Sequence, residues 1–459
     1  MQNKKFIRRL SLRLISIAFL TALSVAADEK PSSDALNKVR KDDVVAVCGD
    51  SITAGGYSLL IESYLSMCYK DVPVKTVKFG WPGDSMGSFW GRKCGAEPIL
   101  SVHPSIVTLC YGMNDGGYKA LGKDTARHYR NGMEKLVQEL KKNGVRTVII
   151  GSPTAVDTTT YRNKKNNLTA SDYNSVLAAL GDSAKQLAEE QGSVFVNIHD
   201  LMLDVMAKAK AKYGAEYHVA GKEGVHPSGN GNLVIAYAFL KAMGCDGNIG
   251  TITVDLSGGK AEASAGHKIL SFKDGVVEVE SSRYPFCFKG KPDDPSATSG
   301  IIEFFPFNED LNRFKLVVTG QKAGSKIRVT WGQATKEYSS DNLAKGINLA
   351  ADFIENPFCE PFGKVYWIIV DKKSKWETRQ YAYILSRLPV LQEDMKKEIG
   401  GLDPGEQNDI KELLAIDPDA GSSLERLKEA VLKKDAALTE AVEKAVVPVR
   451  HSIRIEIIK

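Results

Sequence analysis

The stretch Val44-Val45-Ala46-Val47-Cys48-Gly49-Asp50-Ser51 decides the fold. Five consecutive apolar residues rich in valine predict a strand of a parallel sheet, and the Gly-Asp-Ser that follows marks a strand-to-helix turn. A polar cluster at the end of such a strand is where a parallel α/β sheet presents its chemistry.

Working outward, further apolar runs at 74–79, 106–111, 145–151 and 194–197 alternate with helical patterns over 57–69, 124–143, 171–191 and 200–213. A last helix is expected over 232–243, and Asn143-Gly144 supplies a C-cap signal. The alternation predicts an α/β domain with a flavodoxin-like, five-stranded parallel sheet, occupying residues 28–248. Beyond it the texture changes. Alternating runs at 251–256, 276–280, 314–318, 326–331 and 365–370, separated by Gly, Asp, Ser and Pro turns, predict an antiparallel β domain over 249–388. Residues 389–459 turn rich in Lys, Glu, Leu and Ala. They predict a solvated helical hairpin, with segments 392–399, 406–414 and 423–445, and a terminal strand at 452–458 that returns to the β domain.

At the N-terminus, Lys4, Lys5, Arg8, Arg9 and Arg13 precede an apolar stretch over 14–25 and then Ala26-Ala27. This is the pattern of a secretory signal peptide over residues 1–27, so the protein is expected to be exported, periplasmic or extracellular. Removing those five basic residues from the 61 Lys and Arg leaves 56 against 56 Asp and Glu. A mature chain of near-zero net charge has no electrostatic reason to seek nucleic acid, and no stable membrane association is expected once the signal is gone. Seven cysteines make an odd number. Cys48 and Cys110 read as core thiols at strand ends, whereas Cys68, Cys94, Cys245, Cys287 and Cys359 are open to a disulfide.

Two more polar clusters extend the first: Gly112-Met113-Asn114-Asp115 and Glu223-Gly224-Val225-His226-Pro227. With Ser51 they supply a nucleophile, an imidazole base, a carboxylate and an amide donor, the set needed to activate an alcohol and hold a developing oxyanion. A second Gly-Asp-Ser at 83–85 reads as a loop rather than a nucleophile, because a weaker strand pattern precedes it. Each cluster alone would pass as a turn or a helix cap. The remaining histidines show no metal-ligand spacing, so neither metal nor cofactor is expected.

On these blocks, residues 44–244 resemble the SGNH or GDSL hydrolase superfamily. The resemblance implies Ser51 as nucleophile, His226 as base and Glu223, in place of the usual Asp, as its orienting partner. It implies an oxyanion hole from the Ser51 and Gly83 backbone N–H groups and the Asn114 amide. The family's second-block Asn would fall near Lys78, where this chain departs from the pattern. Asp50, Trp81 and Tyr161 are expected to contact substrate, with the loops 80–94 and 153–167 as flanks that read equally as a sugar- or acyl-binding wall or as ordinary packing. What the resemblance implies is an exported esterase that cleaves short-chain, acetyl-type esters, with a carbohydrate as the leading substrate class. A lipolytic esterase, thioesterase or acyltransferase would use the same residues, and a non-catalytic carbohydrate-binding or cell-surface module is the reading from another class.

Overall fold

The computed structural model describes residues 38–381, 411, 413, 417, 419 and 424–458, apart from 93, 164 and 165. The expected signal segment, the stretch 392–399 and most of 406–414 lie outside the described residues.

Five parallel strands form the first sheet: β1 (Asp43–Gly49), β2 (Val74–Gly80), β3 (Ile106–Cys110), β4 (Thr147–Gly151) and β5 (Val194–Val196), in the order β2-β1-β3-β4-β5. This is the flavodoxin-like order, with its switch of direction at β1. Successive β1 side chains alternate between two apolar layers, Ala46 and Cys48 facing one and Val45 and Val47 the other. That is why the strand had to be apolar throughout.

The helices of this half include α1 (Ser51–Ala54), α2 (Tyr57–Ser63), α3 (Met86–Gly91), α4 (Thr125–Lys142), α5 (Ala170–Gln191), α6 (Ile198–Tyr213) and α7 (Gly229–Ala242). On α4 the residues Tyr129, Met133, Leu136, Val137 and Leu140 recur at helical spacing and cover one face of the sheet. Helices α2, α6 and α7 cover the other, and the same apolar layer continues into the C-terminal half without a break. Helix α4 ends at Asn143, with Gly144 left-handed at φ 87°, as the Asn-Gly pair predicts.

Among the described residues the C-terminal half carries nine strands: β6 (Asn248–Asp255), β7 (Lys260–Ala263), β8 (His267–Lys273), β9 (Val276–Ser281), β10 (Arg313–Thr319), β11 (Lys326–Trp331), β12 (Ala334–Ser339), β13 (Ile347–Asn348) and β14 (Val449–Ile458). They build two sheets, β13-β10-β6-β7 and β12-β11-β14-β9-β8. Pairing is antiparallel except between β6 and β10, which run parallel. The terminal strand β14 lies between β11 and β9, so the end of the chain completes a sheet begun far upstream.

Two expectations need correction. Residues 365–370 belong to helix α8 (Cys359–Val370), which buries Phe362, Val365 and Ile369 while Trp367 stays 63% exposed. A short run of bulky apolar residues fits either period, and here the helical face wins. The helix α9 (Leu424–Ala445) is not a solvated one. It buries Leu427, Ala430, Val431 and Val442, and its fully buried Asp435 meets Lys75 of β2 at 2.7 Å. No helix among the described residues is long and apolar enough to cross a membrane.

Candidate active site

Ser51 opens α1 directly after β1, with Asp50 as N-cap: the Asp50 carboxylate accepts from the Ile52 N–H at 2.9 Å. The turn is packed tightly on β2. A Cβ at Gly80 would lie 2.2 Å from the Ala54 nitrogen, so glycine there is a steric requirement.

His226 brings the distant blocks together. Its Nε2 lies 2.9 Å from Ser51 Oγ, and its Nδ1 lies 2.7 Å from Glu223 Oε1. The same carboxylate oxygen accepts from the His226 backbone N–H at 2.6 Å, so Glu223 is fixed at two points. Burial alone would raise the Glu223 carboxyl, but its hydrogen bonds to backbone N–H groups and to His226 hold it below the ordinary range. An ionised Glu223 can only accept, so Nδ1 carries the proton and Nε2 is left to take the one on Ser51. The extra methylene of Glu is absorbed by the short Glu223-to-His226 turn, which leaves both side chains about half exposed at 55% and 51%.

The groups expected to form an oxyanion hole lie past the ends of β1, β2 and β3. Neither the Ser51 nor the Gly83 backbone N–H has a protein acceptor among the described residues, and Gly83 sits at φ 76° with open space where a Cβ would be. Asn114 donates one amide N–H to the Asp84 carbonyl at 2.9 Å, and its other contact is a long 3.5 Å approach to Asp50. The amide is therefore anchored by one hydrogen and has the second to offer. Asn114→Ala is expected to lower kcat by about 100- to 1000-fold with little change in KM, measured with p-nitrophenyl acetate.

Other expected site residues take different places. Asp50 is only 1% exposed and serves the N-cap, so it is unavailable to substrate. Burial first, then the neighbouring Asp115 and Asp84 charges, push its carboxyl up to about 7 against the pull of the Ile52 N–H. Tyr161 is 3% exposed and stacks on Tyr173 at 5.7 Å, which removes it as a substrate platform. Trp81 is half-buried beside the oxyanion loop, with the Arg92 guanidinium 4.8 Å from its ring centre. Ser85 of the second Gly-Asp-Ser caps α3 in a reciprocal pair with Ser88.

Tyr118 was not legible from sequence. Its hydroxyl reaches Asn114 Oδ1 at 3.4 Å, and its ring stacks on Tyr173 at 5.0 Å. Lys78, where the second-block Asn is missing, is buried and donates from Nζ to the Ala54 carbonyl at 3.0 Å, bracing the end of the turn that carries Ser51. All seven cysteines are free thiols, six of them buried, so none of the five left open to a disulfide is paired. Burial pushes the Cys48 and Cys110 thiols well above their ordinary range, which fits a packing role. Among the described residues no group of three or more His, Cys, Asp or Glu side chains is arranged to hold a metal ion.

Residues 47–234 match a family model described as the GDSL-like Lipase/Acylhydrolase family. Among solved structures, a gut microbial diltiazem-metabolizing enzyme superposes with a TM-score of 0.66 at 19% identity, covering 92% of this chain and 100% of that one. At that identity the likeness shows a shared fold through both halves. An acetylxylan esterase from Geobacillus stearothermophilus aligns at 23% identity with a TM-score of 0.37, covering 45% of this chain and 96% of its own. No curated protein matches the chain by sequence.

Proposed function

Residues 47–234 are a GDSL-like lipase/acylhydrolase domain and the protein is a carboxylic ester hydrolase; from that premise we propose that it removes short acyl groups, acetyl above all, from carbohydrate hydroxyls. The observation that carries the catalytic part is the relay from Ser51 Oγ through His226 to Glu223, at 2.9 and 2.7 Å. Ser51 attacks the ester carbonyl as its proton passes to His226 Nε2, and the oxyanion is held by the Ser51 and Gly83 N–H groups and Asn114. His226 then protonates the departing alkoxide, leaving an acetyl-serine. Water, giving its proton to His226, attacks the acetyl-serine, and acetate leaves as His226 returns that proton to Ser51 Oγ.

Two features support a small acyl group on a hydrophilic alcohol. The cavity walled by Trp81, Phe89, Arg92 and Tyr111 beside the loop that carries Gly83 holds only about 30 Å³, too little for a fatty chain. A larger hollow of about 590 Å³ shares the 221–226 loop with the catalytic carboxylate and is lined by Thr159, Arg162, Tyr217, His218 and Lys222. That size and hydroxyl-rich, charged lining suit a sugar leaving group.

Acetate release should be faster from acetylated xylo-oligosaccharides than from p-nitrophenyl octanoate, compared as kcat/KM. A preference for the octanoyl ester would turn the assignment toward a lipolytic enzyme, and transfer of acetyl to an added alcohol in place of water would make it an acyltransferase. The basic and apolar start of the chain supports export, which fits a polysaccharide substrate. N-terminal sequencing of the secreted protein, beginning near residue 28, tests it.

A further inference from the structure

Three carboxylates converge behind the oxyanion hole, one from each of three strand ends. Asp50 follows β1, Asp84 follows β2 and Asp115 follows β3. Asp50 and Asp84 are each 1% exposed. Asp115 accepts from the Met86 N–H at 2.8 Å through one oxygen, while its other oxygen is buried without a partner. Burial comes first and then, against the pull of the Met86 N–H, the nearby Asp84 charge in pushing the Asp115 carboxyl up to about 6. Negative charge gathered here opposes the oxyanion that the site must stabilise.

Among the described residues Arg92 is the cation that meets this group. Arg92 grips Asp84 through both guanidinium nitrogens, at 2.7 and 2.8 Å, the fork-on-fork geometry in which an arginine fixes a carboxylate in position as well as charge. Its guanidinium lies 4.8 Å from the ring centre of Trp81 and 5.1 Å from that of Phe89, which limits the space in which it can move. Ser88 Oγ donates to the same Asp84 carboxylate at 2.7 Å. The Asp84 main-chain carbonyl is the acceptor that anchors Asn114, and Gly83 is the preceding residue. Arg92 thus holds the residue that holds two of the three oxyanion donors.

We infer that Arg92 is a positioning residue of the oxyanion hole: its paired grip on Asp84 fixes the carbonyl that orients Asn114 and the loop that carries Gly83, and offsets the negative charge behind them. This rests on the ester-hydrolase reading above. Arg92 touches neither the nucleophile nor the base, and it also lines the small cavity beside Trp81 and Phe89, so the split between kcat and KM and the affinity for a tetrahedral anion separate a positioning effect on the transition state from an effect on substrate binding.

The test uses the full chain with Arg92→Met, Arg92→Lys and Asp84→Asn, assayed on p-nitrophenyl acetate and with phenylboronic acid, which takes Ser51 Oγ to form a tetrahedral anion. Arg92→Met is expected to lower kcat by about 10- to 100-fold, the range for a supporting residue one step from the chemistry, with KM within about two-fold. The boronate inhibition constant should rise by the factor that kcat falls. Arg92→Lys, which keeps the charge but loses the fork, should recover part of both. If Arg92→Met does not fold, Arg92→Lys and Asp84→Asn read the same paired change. Unchanged kcat in a folded variant, a rise confined to KM, or a fall in kcat with boronate affinity intact would each overturn the role. Labelling of Ser51 in the wild type by a fluorophosphonate stands apart from these measurements. If wild type is not labelled, the hydrolase reading fails and this inference goes with it.

Discussion

Ser51→Ala is expected to remove ester hydrolysis almost entirely, lowering kcat on the order of 10⁶-fold, and His226→Ala should do about the same. The two losses should not add. Ser51 and His226 share one proton across 2.9 Å, so removing either partner disables the same step. A double variant no slower than the singles is the signature, measured as kcat on p-nitrophenyl acetate. Glu223→Gln should be milder. The His226 backbone N–H keeps an acceptor at Glu223 in that variant, but the neutral amide no longer stabilises the imidazolium that forms in the transition state. A Ser51→Ala protein that retains wild-type activity would sink the mechanism. A Glu223→Gln variant slower than His226→Ala would overturn this division of roles between the base and its partner.

What made these residues readable is that each lies just past an apolar strand or just ahead of a helix in a doubly wound sheet. β1 announced itself because burial on both faces leaves no place for a polar residue, and Gly49-Asp50-Ser51 ends it at the switch point of the sheet. Asn114 and His226 follow the same logic from β3 and from the start of α7. Arg92 and Tyr118 were not readable. Their roles depend on loops folding back onto Asp84 and Asn114, and no local period encodes that. Tyr161 misled for a related reason, since an aromatic residue in a site loop looks like a platform until its ring is found packed on Tyr173. At residues 365–370 the sequence offers β-branched and aromatic residues that suit a strand, while the apolar face formed by Phe362, Val365 and Ile369 is helical. Asp435 was hidden in a helix whose interspersed charges read as a solvated surface, although it pairs with Lys75 across 360 positions of chain.

The largest effect on stability is expected where the C-terminal half grips the catalytic one. The π-helical segment Asp371–Tyr381 lies along the edge strand β2, and four of the charges at that seam are almost wholly withdrawn from water: Glu62 of α2 at 3% exposed, and Lys372, Lys373 and Glu377 at 0%. Each lysine bridges both carboxylates at 2.8 to 3.1 Å. Both lysines also donate to the Thr76 carbonyl at 3.0 Å, and Glu377 accepts from the Lys78 N–H at 2.6 Å, so side chains take the hydrogen bonds that an open sheet edge would leave unmade. Burial by itself would raise the Glu62 carboxyl, but Lys372 and Lys373 hold it below the ordinary range. Glu377→Leu leaves two buried ammonium groups facing one carboxylate. The expected loss is about 3–5 kcal/mol, the cost of breaking a buried pair from one side, read from urea unfolding. Because two opposite charges then leave together, Lys372→Met combined with Glu377→Leu should lose less than the sum of the two single variants. Lys78 carries the consequence to the active site, since its N–H is held by Glu377 and its Nζ braces the Ala54 carbonyl at the end of the turn that presents Ser51. Glu377→Leu should therefore lower kcat as well as stability, even at temperatures where the variant is fully folded. Additive losses in the double variant would mean that the four charges do not act as one network, and an unchanged kcat in folded Glu377→Leu would confine the seam to stability alone.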